Sequence, residues 1–138
     1  MAKMNKMYCG DGWPNHPDWK DISLGRDYSK TEFDTGDKWI DGSAIYCKVV
    51  EDDTLSTGVN TIAHGITDLG HVLSVSGYLT TDSAGDLPLP IVAALVNNNI
   101  TVQGVDATNV SLFIGTNYAG TYAPDSVALI IKYTKETD

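Results

Sequence analysis

The Asp41-Gly42 pair constrains this chain more than any other feature, because it lies between two runs of strand-forming residues. Both central residues of a two-residue β-hairpin loop adopt positive φ, which Gly prefers and Asp tolerates. The sequence therefore predicts a two-residue hairpin with antiparallel strands, in which Trp39 lies opposite Ala44. It also predicts a protein rich in β-structure.

The predicted hairpin has two apolar faces, which is one more than a half-exposed sheet needs. The second face requires a cover, and the N-terminal arm, another loop or a neighbouring subunit could supply it. We therefore take Trp39 and Tyr46 as candidate anchoring or interface residues. One face carries Ile40, Ile45, Cys47 and Val49, and the other carries Trp39, Ala44, Tyr46 and Val50.

Apolar and polar residues alternate with a period of two in many short segments after residue 37, and no stretch has the helical period of 3.6. Proline cannot donate to a strand ladder, so we expect the run Leu87-Pro88-Leu89-Pro90 at a sheet edge. We predict an all-β protein, an antiparallel β-sandwich of jelly-roll character over residues 37–138. The last segment shows the alternation most clearly, with one face made of Val127, Leu129, Ile131 and Tyr133.

Residues 1–36 differ in composition from the rest of the chain. Between Asp11 and Trp19 the sequence has two prolines, two tryptophans and several turn formers, a mixture that suits neither a helix nor a central strand. Trp13 and Trp19 each have a large apolar area to bury. We interpret residues 1–36 as an irregular N-terminal docking arm that lies on its own domain, on a second copy of the chain or on another protein.

The chain has 138 residues, with nine basic and eighteen acidic side chains, and a net charge of −9. This balance argues against partners that are nucleic acids or anionic membrane surfaces. No apolar run is long enough to cross a bilayer, and the first seven residues lack the apolar core of a secretory signal. Cys47 falls on a predicted strand and is expected to be a buried thiol, while a bridge to Cys9 stays open.

Motifs for catalysis are weak in this sequence. Asp34-Thr35-Gly36 matches the tripeptide with which aspartic proteases present a carboxylate, so a homodimeric protease is one alternative. The charged residues that follow do not suit a buried carboxylate pair, and a turn is the simpler interpretation. His16, His64 and His71 lack the spacing of a metal site, and we expect His64 to hydrogen-bond to backbone near a turn. We predict a non-enzymatic protein with no cofactor and no bound metal.

Tyrosines near predicted loops could form a recognition surface. Tyr78, Tyr118 and Tyr122 have small polar neighbours, among them Asn117, and this combination is typical of binding surfaces, including flat ones that bind sugars. A free carbohydrate-binding module is therefore an alternative function. The simpler alternative is that these residues cap one end of the sandwich.

Several motifs resemble a domain found in virion proteins of tailed phages. Tyr28-Ser29-Lys30-Thr31-Glu32 is similar to the Tyr-Ser-Thr-Glu-Glu of those proteins, and Trp39 to Lys48 resembles their Trp-x-Asp-Gly-Lys-Pro-Ile-Tyr-x-Lys. Ile62 to Ile66 resembles their proline-His-Gly-Ile turn, with Ala63 in place of proline. The end of the chain, from Ile131 onward, is close to their Tyr-Thr-Lys-Thr-Thr-Asp terminus.

The resemblance covers about residues 28–138 and implies a non-enzymatic structural β-domain of a phage virion, as in tail fibre tips or in head fibre and capsid decoration proteins. It implies a homotrimer that contacts other virion proteins of the capsid or tail. The protein would be made in the host cytoplasm and reside in the virion. Its outward loops could bind a cell-surface glycan or protein during host attachment.

Overall fold

The alternating segments of the sequence form strands, and the longest of them lie at the centre of one sheet. The computed structural model describes residues 27–82, 85–118 and 124–137. These residues contain two short 3-10 helices, Val96–Asn98 and Thr116–Tyr118. The strands are β1 (Phe33–Lys38), β2 (Ala44–Asp52), β3 (Gly58–Ala63), β4 (Leu69–Thr81), β5 (Gly85–Leu89), β6 (Ile100–Val105), β7 (Asn109–Ile114) and β8 (Pro124–Lys135).

The strands form two antiparallel sheets. The large sheet has the order β1-β2-β8-β4-β5 and the small sheet has the order β3-β7-β6. The chain crosses between the sheets after β2, β3, β5 and β7. The predicted all-β sandwich is confirmed, and its jelly-roll character stays a prediction. Within the described ranges, no helix has both the length and the apolar composition to cross a membrane.

One hydrophobic core lies between the two sheets, because each sheet turns an apolar face toward the other. The alternation predicted for the end of the chain is confirmed in β8, whose inward residues are 2% exposed or less. The fully or nearly fully buried members of the core are Val50, Ile62, Ile66, Leu79, Ile100, Val110, Leu112, Ile114, Val127, Leu129, Ile131 and Tyr133.

The edge position predicted for the proline-containing run is confirmed, because β5 is the last strand of the large sheet. Pro88 lies opposite Tyr78 of β4. Cys47 is buried, as expected for a strand position, and Cys9 lies outside the described residues.

The predicted two-residue hairpin is wrong. Trp39 N–H donates to Ser43 O over 2.8 Å and Gly42 N–H donates to Trp39 O over 2.9 Å, which is the pattern of a three-residue loop. Gly42 has a φ of +90° and Asp41 keeps a negative φ. The Asp41 carboxylate instead accepts the N–H of Ser43 at 2.9 Å. This bond holds the pKa of Asp41 below its usual range.

The longer loop shifts the register of the hairpin. Ala44 lies opposite Lys38 instead of opposite Trp39. Ile40 is at the tip of the loop, 91% exposed, and does not belong to either face of the sheet. The predicted division of the β2 side chains between two faces holds nevertheless, since Val50 joins the core and Val49 lies on the exterior.

The boundary that we predicted between residues 36 and 37 falls inside β1, because the sheet begins at Phe33. The residues just before β1 also lie against the domain, where Val49 N–H donates to Ser29 O over 2.8 Å. Asp34-Thr35-Gly36, expected as a turn, lies in β1 beside a register shift. The rest of the proposed arm, residues 1–26 with Trp13 and Trp19, lies outside the described residues.

Candidate functional site

A group of polar and aromatic side chains joins the start of the described chain to its last strand. The hydroxyl of Tyr133, which is fully buried on β8, donates to Oε1 of Glu32. The ammonium of Lys135 lies 2.6 Å from Oε2 of the same carboxylate. Glu32 thus binds a hydroxyl and a cation of one strand with its two oxygens.

One further strand, β2, and the loop after β3 contribute to the same group. The ring of Tyr46 from β2 stacks on the ring of Tyr133, with 6.1 Å between the centroids and 22° between the planes. Lys135 Nζ lies 5.1 Å from the centroid of Tyr46, within range of a cation–π interaction. Lys48 Nζ donates to Gly65 O over 3.2 Å. We call these six residues the motif cluster: Glu32, Tyr46, Lys48, Gly65, Tyr133 and Lys135.

The electrostatics of the motif cluster favour a charged carboxylate and a neutral phenol. Burial opposes ionisation of Glu32, but the hydrogen bonds from Lys135 and Tyr133 and the charges of Lys135 and Lys48 outweigh it and lower its pKa. Burial raises the pKa of Tyr133 strongly, and its bond to the charged Glu32 adds to the effect. The cluster is therefore suited to tying strands together.

His64 has the role that its position near a turn predicts, and the prediction is confirmed. It is 2% exposed. Its Nδ1 accepts the N–H of Ile66 at 3.0 Å, so Nε2 carries the proton and donates to Asp106 O over 2.9 Å. Both ring nitrogens are occupied by backbone, which fixes the loop after β3 against the loop after β6.

An exposed apolar segment follows β5. Residues 92–96, which we call the apolar segment, have the sequence Val-Ala-Ala-Leu-Val. Val92 is 73% exposed, Leu95 is 66% exposed and Val96 is 61% exposed. Single exposed apolar residues are ordinary, but contiguous ones are typical of contact surfaces.

Hydrogen bonds hold the backbone on both sides of the apolar segment. Ile91 and Ile100 exchange two backbone hydrogen bonds of 2.9 Å each. Ala93 N–H donates to Asn99 Oδ1 over 2.6 Å, and Gly115 N–H donates to Asn99 O over 2.8 Å. The fold therefore presents these side chains from an anchored backbone. Beside the segment is a groove of about 300 Å³, lined by Val75, Ser76, Leu89, Pro90, Val92, Thr101, Val102 and Leu129.

A second groove, which we call the exterior groove, lies on the face of the large sheet that points away from the core. Its volume is about 320 Å³. Lys30 and Glu51 form an ion pair of 2.5 Å between residues that line it. Its lining residues are Tyr28, Ser29, Lys30, Val49, Glu51, Tyr78, Ala128 and Ile130.

Of the predicted anchoring residues, the two that the structure describes lie in different places. Trp39 is 38% exposed beside the hairpin tip. Tyr46 is half-buried in the motif cluster, where it packs within its own chain. Trp13 and Trp19 lie outside the described residues.

The predicted receptor residues also lie in different places. Tyr78 lies inside β4, not at a loop, and the residue is 43% exposed beside the exterior groove. The Tyr118 hydroxyl donates to Asn98 O over 3.0 Å, and the amide of Asn117 donates to Asn98 Oδ1. Tyr118 also packs against the core, as expected for a residue that caps the sandwich. Tyr122 lies outside the described residues.

Sequence reasoning missed the apolar segment. The available signal was a run of six apolar residues between Pro90 and Asn97 that does not alternate with a period of two.

Asp34, the candidate carboxylate of the protease tripeptide, is exposed, and its carboxylate accepts the N–H of Gly36 at 2.8 Å. Across the three described ranges, no three His, Cys, Asp or Glu side chains are grouped so that they could hold a metal ion.

No protein-family model, curated protein or solved structure matches this chain. The site must therefore be interpreted from its own geometry. The motif cluster, the apolar segment and the exterior groove are the three features on which that interpretation depends.

Proposed function

We propose that this chain is a non-enzymatic structural protein of a tailed-phage virion. Its β-sandwich would assemble as a homotrimer on the head or tail and contact other virion proteins. Its outward surface would decorate the particle or attach it to a glycan or protein of the host cell.

The observation that supports this proposal most is the convergence of the motifs that carry the resemblance. Glu32 belongs to the first motif, Tyr46 and Lys48 to the second, Gly65 to the third, and Tyr133 and Lys135 to the last. They are scattered over more than a hundred residues, and yet hydrogen bonds, an ion pair, ring stacking and the charge of Lys48 near Glu32 join them in one cluster. Such convergence is expected when the motifs preserve one structural unit, and matches arising by chance would have no reason to meet.

The apolar segment supports the assembly part of the proposal. Its side chains are exposed from an anchored backbone. A chain that leaves such a surface open gains free energy by covering it with a partner. We propose that a subunit contact of the homotrimer lies there.

The particle itself provides the direct test. Purified virions of the encoding phage should contain this chain when analysed by mass spectrometry, and antibodies against it should label intact particles in electron micrographs. Virions that lack the chain would overturn the proposal.

Native mass spectrometry tests the oligomer separately. A homotrimer has three times the mass of the 14.9 kDa chain, and a stable monomer would overturn this part. A glycan array tests the alternative function. Binding of one glycan class by a chain that is missing from virions would favour a free carbohydrate-binding module, for which the exposed ring of Tyr78 is the supporting observation.

A further inference from the structure

The exterior groove is an apolar recess on a face of the sheet that the core does not use. Val49, Ala128 and Ile130 come from the neighbouring strands β2 and β8, and they form its floor. Tyr28 and Tyr78 stand on opposite sides of this floor. Tyr28 is 61% exposed and Tyr78 is 43% exposed, so the groove has aromatic walls that stay open to solvent.

We propose that residues 1–26 dock in the exterior groove of their own chain, with Trp13 and Trp19 packed on its floor. The position at which the described chain begins supports this occupant. Residues 28–30 line the groove, so the preceding residues leave from its rim. Tyr28 is nine positions after Trp19, and at about 3.3 Å per residue the connection can span about 30 Å.

Charge complementarity supports the same occupant. Residues 1–26 have four basic and three acidic side chains, a net charge of +1. Residues 27–138 have five basic and fifteen acidic side chains, a net charge of −10. The body of the protein therefore attracts its own N-terminal segment. The short connection also gives the segment a high effective concentration at the groove.

The chemistry of the groove suits tryptophan. An indole ring buries a large apolar area and offers one N–H donor. Ala128 leaves room above the floor, while the carboxylate of Glu51 and the hydroxyl of Tyr78 at the rim can accept that N–H. Docking would cover Val49 on the outer face of β2. The proposed docking is a property of the isolated chain and does not depend on the proposed virion function.

Tryptophan fluorescence tests the docking. The variant Trp39→Phe leaves Trp13 and Trp19 as the only indoles of the full chain. In that background Ile130→Lys should shift the emission to longer wavelength and raise quenching by acrylamide roughly twofold, because the indoles lose their cover. An unchanged emission and quenching in a folded Ile130→Lys variant would overturn the proposal.

A matched control separates docking from a general effect of the new charge. Val59 is 57% exposed on β3 of the other sheet, so Val59→Lys introduces the same group away from the groove and should leave the fluorescence unchanged. Circular dichroism verifies that each variant is folded. If Ile130→Lys does not fold, Tyr78→Ser removes one wall of the groove from an exposed position and should give the same change. A Val59→Lys effect equal to that at the groove would overturn the proposal.

Mixed refolding identifies which copy supplies the groove. One chain carries Trp13 and Trp19 but has Ile130→Lys, and the other lacks tryptophan but keeps an intact groove. If the segment docks within its own chain, co-refolding should not restore the burial of the two indoles. Restored burial of the indoles would show that the segment crosses to a second copy, which overturns the intramolecular arrangement.

Discussion

The motif cluster and the apolar segment use their side chains in opposite ways. In the motif cluster, polar groups from distant parts of the chain satisfy one another, and one of its two tyrosines, Tyr133, has no exposed surface. In the apolar segment, hydrogen bonds satisfy the backbone while the side chains stay in solvent. The first arrangement stabilises the fold. The second adds little to the fold and is available to a partner.

Variants of the two regions should therefore behave differently. Changes in the motif cluster should reduce the free energy of unfolding, whereas changes in the apolar segment should alter association and leave stability almost untouched.

The largest effect is expected for Tyr133→Ala. Tyr133 is fully buried in the core, and truncating a buried aromatic residue typically costs about 3–5 kcal/mol. Urea denaturation followed by circular dichroism measures this loss. Tyr133→Phe is the matched control, since it keeps the ring and removes only the donor to Glu32. It should cost about 1–2 kcal/mol, and equal losses for both variants would contradict the packing role of the ring.

A smaller effect that depends on pH is expected for Glu32→Gln. The folded protein lowers the pKa of Glu32 below its ordinary value of 4.5, so the charged carboxylate stabilises the fold above that pH. We expect a loss of roughly 1–2 kcal/mol at pH 7.

The difference in the free energy of unfolding between wild type and Glu32→Gln should decline as the pH falls through the folded pKa of Glu32. The wild-type carboxylate is then protonated and, like the glutamine, uncharged. Urea denaturation at several pH values between neutral and acid measures this. A difference that stays constant over the range would mean that the ion pair with Lys135 does not stabilise the fold.

Leu95→Asp should change the fold very little. Leu95 is 66% exposed, and surface substitutions usually stay within about 0.5 kcal/mol. If the apolar segment forms a subunit contact, the buried charge shifts the homotrimer toward monomer.

Analytical ultracentrifugation measures the association, with Val59→Asp as a control that places the same charge on an exposed residue of β3. Equal dissociation of both variants would mean that the apolar segment is not part of the subunit contact. A Leu95→Asp protein that unfolds would contradict the division between the two regions.

The smallest effect is expected for Lys30→Ala. Its ion pair with Glu51 joins side chains that are 74% and 46% exposed, and exposed pairs of this kind are screened by water and salt. Thermal unfolding should show no measurable change at either low or high salt. A clear destabilisation that disappears in salt would mean that the exterior groove depends on this pair.

Much of the fold could be predicted from the sequence because local patterns encode it. The period of two in β8 follows directly from the geometry of a strand with one buried face. The edge position of β5 follows from its proline, which cannot donate to a neighbouring strand. The backbone contacts of His64 were also predictable, since its neighbours form a turn.

The hairpin illustrates where local patterns stop. An Asp-Gly pair is compatible with a two-residue loop and also with a three-residue loop in which only Gly42 has positive φ. The bond from Ser43 N–H to Asp41 favours the longer loop. That choice moves Trp39 out of the register predicted for it, and the sequence alone does not distinguish the two loops.

The sequence by itself determined the β-architecture, because alternation, turn residues and prolines act over a few neighbouring positions. Only the tertiary structure decided which side chains meet. Glu32 and Tyr133 are 101 residues apart in the chain, and no local pattern relates them. The same holds for the exposed positions of residues 92–96: an apolar run predicts burial on average, and whether anything covers it depends on how the whole chain packs.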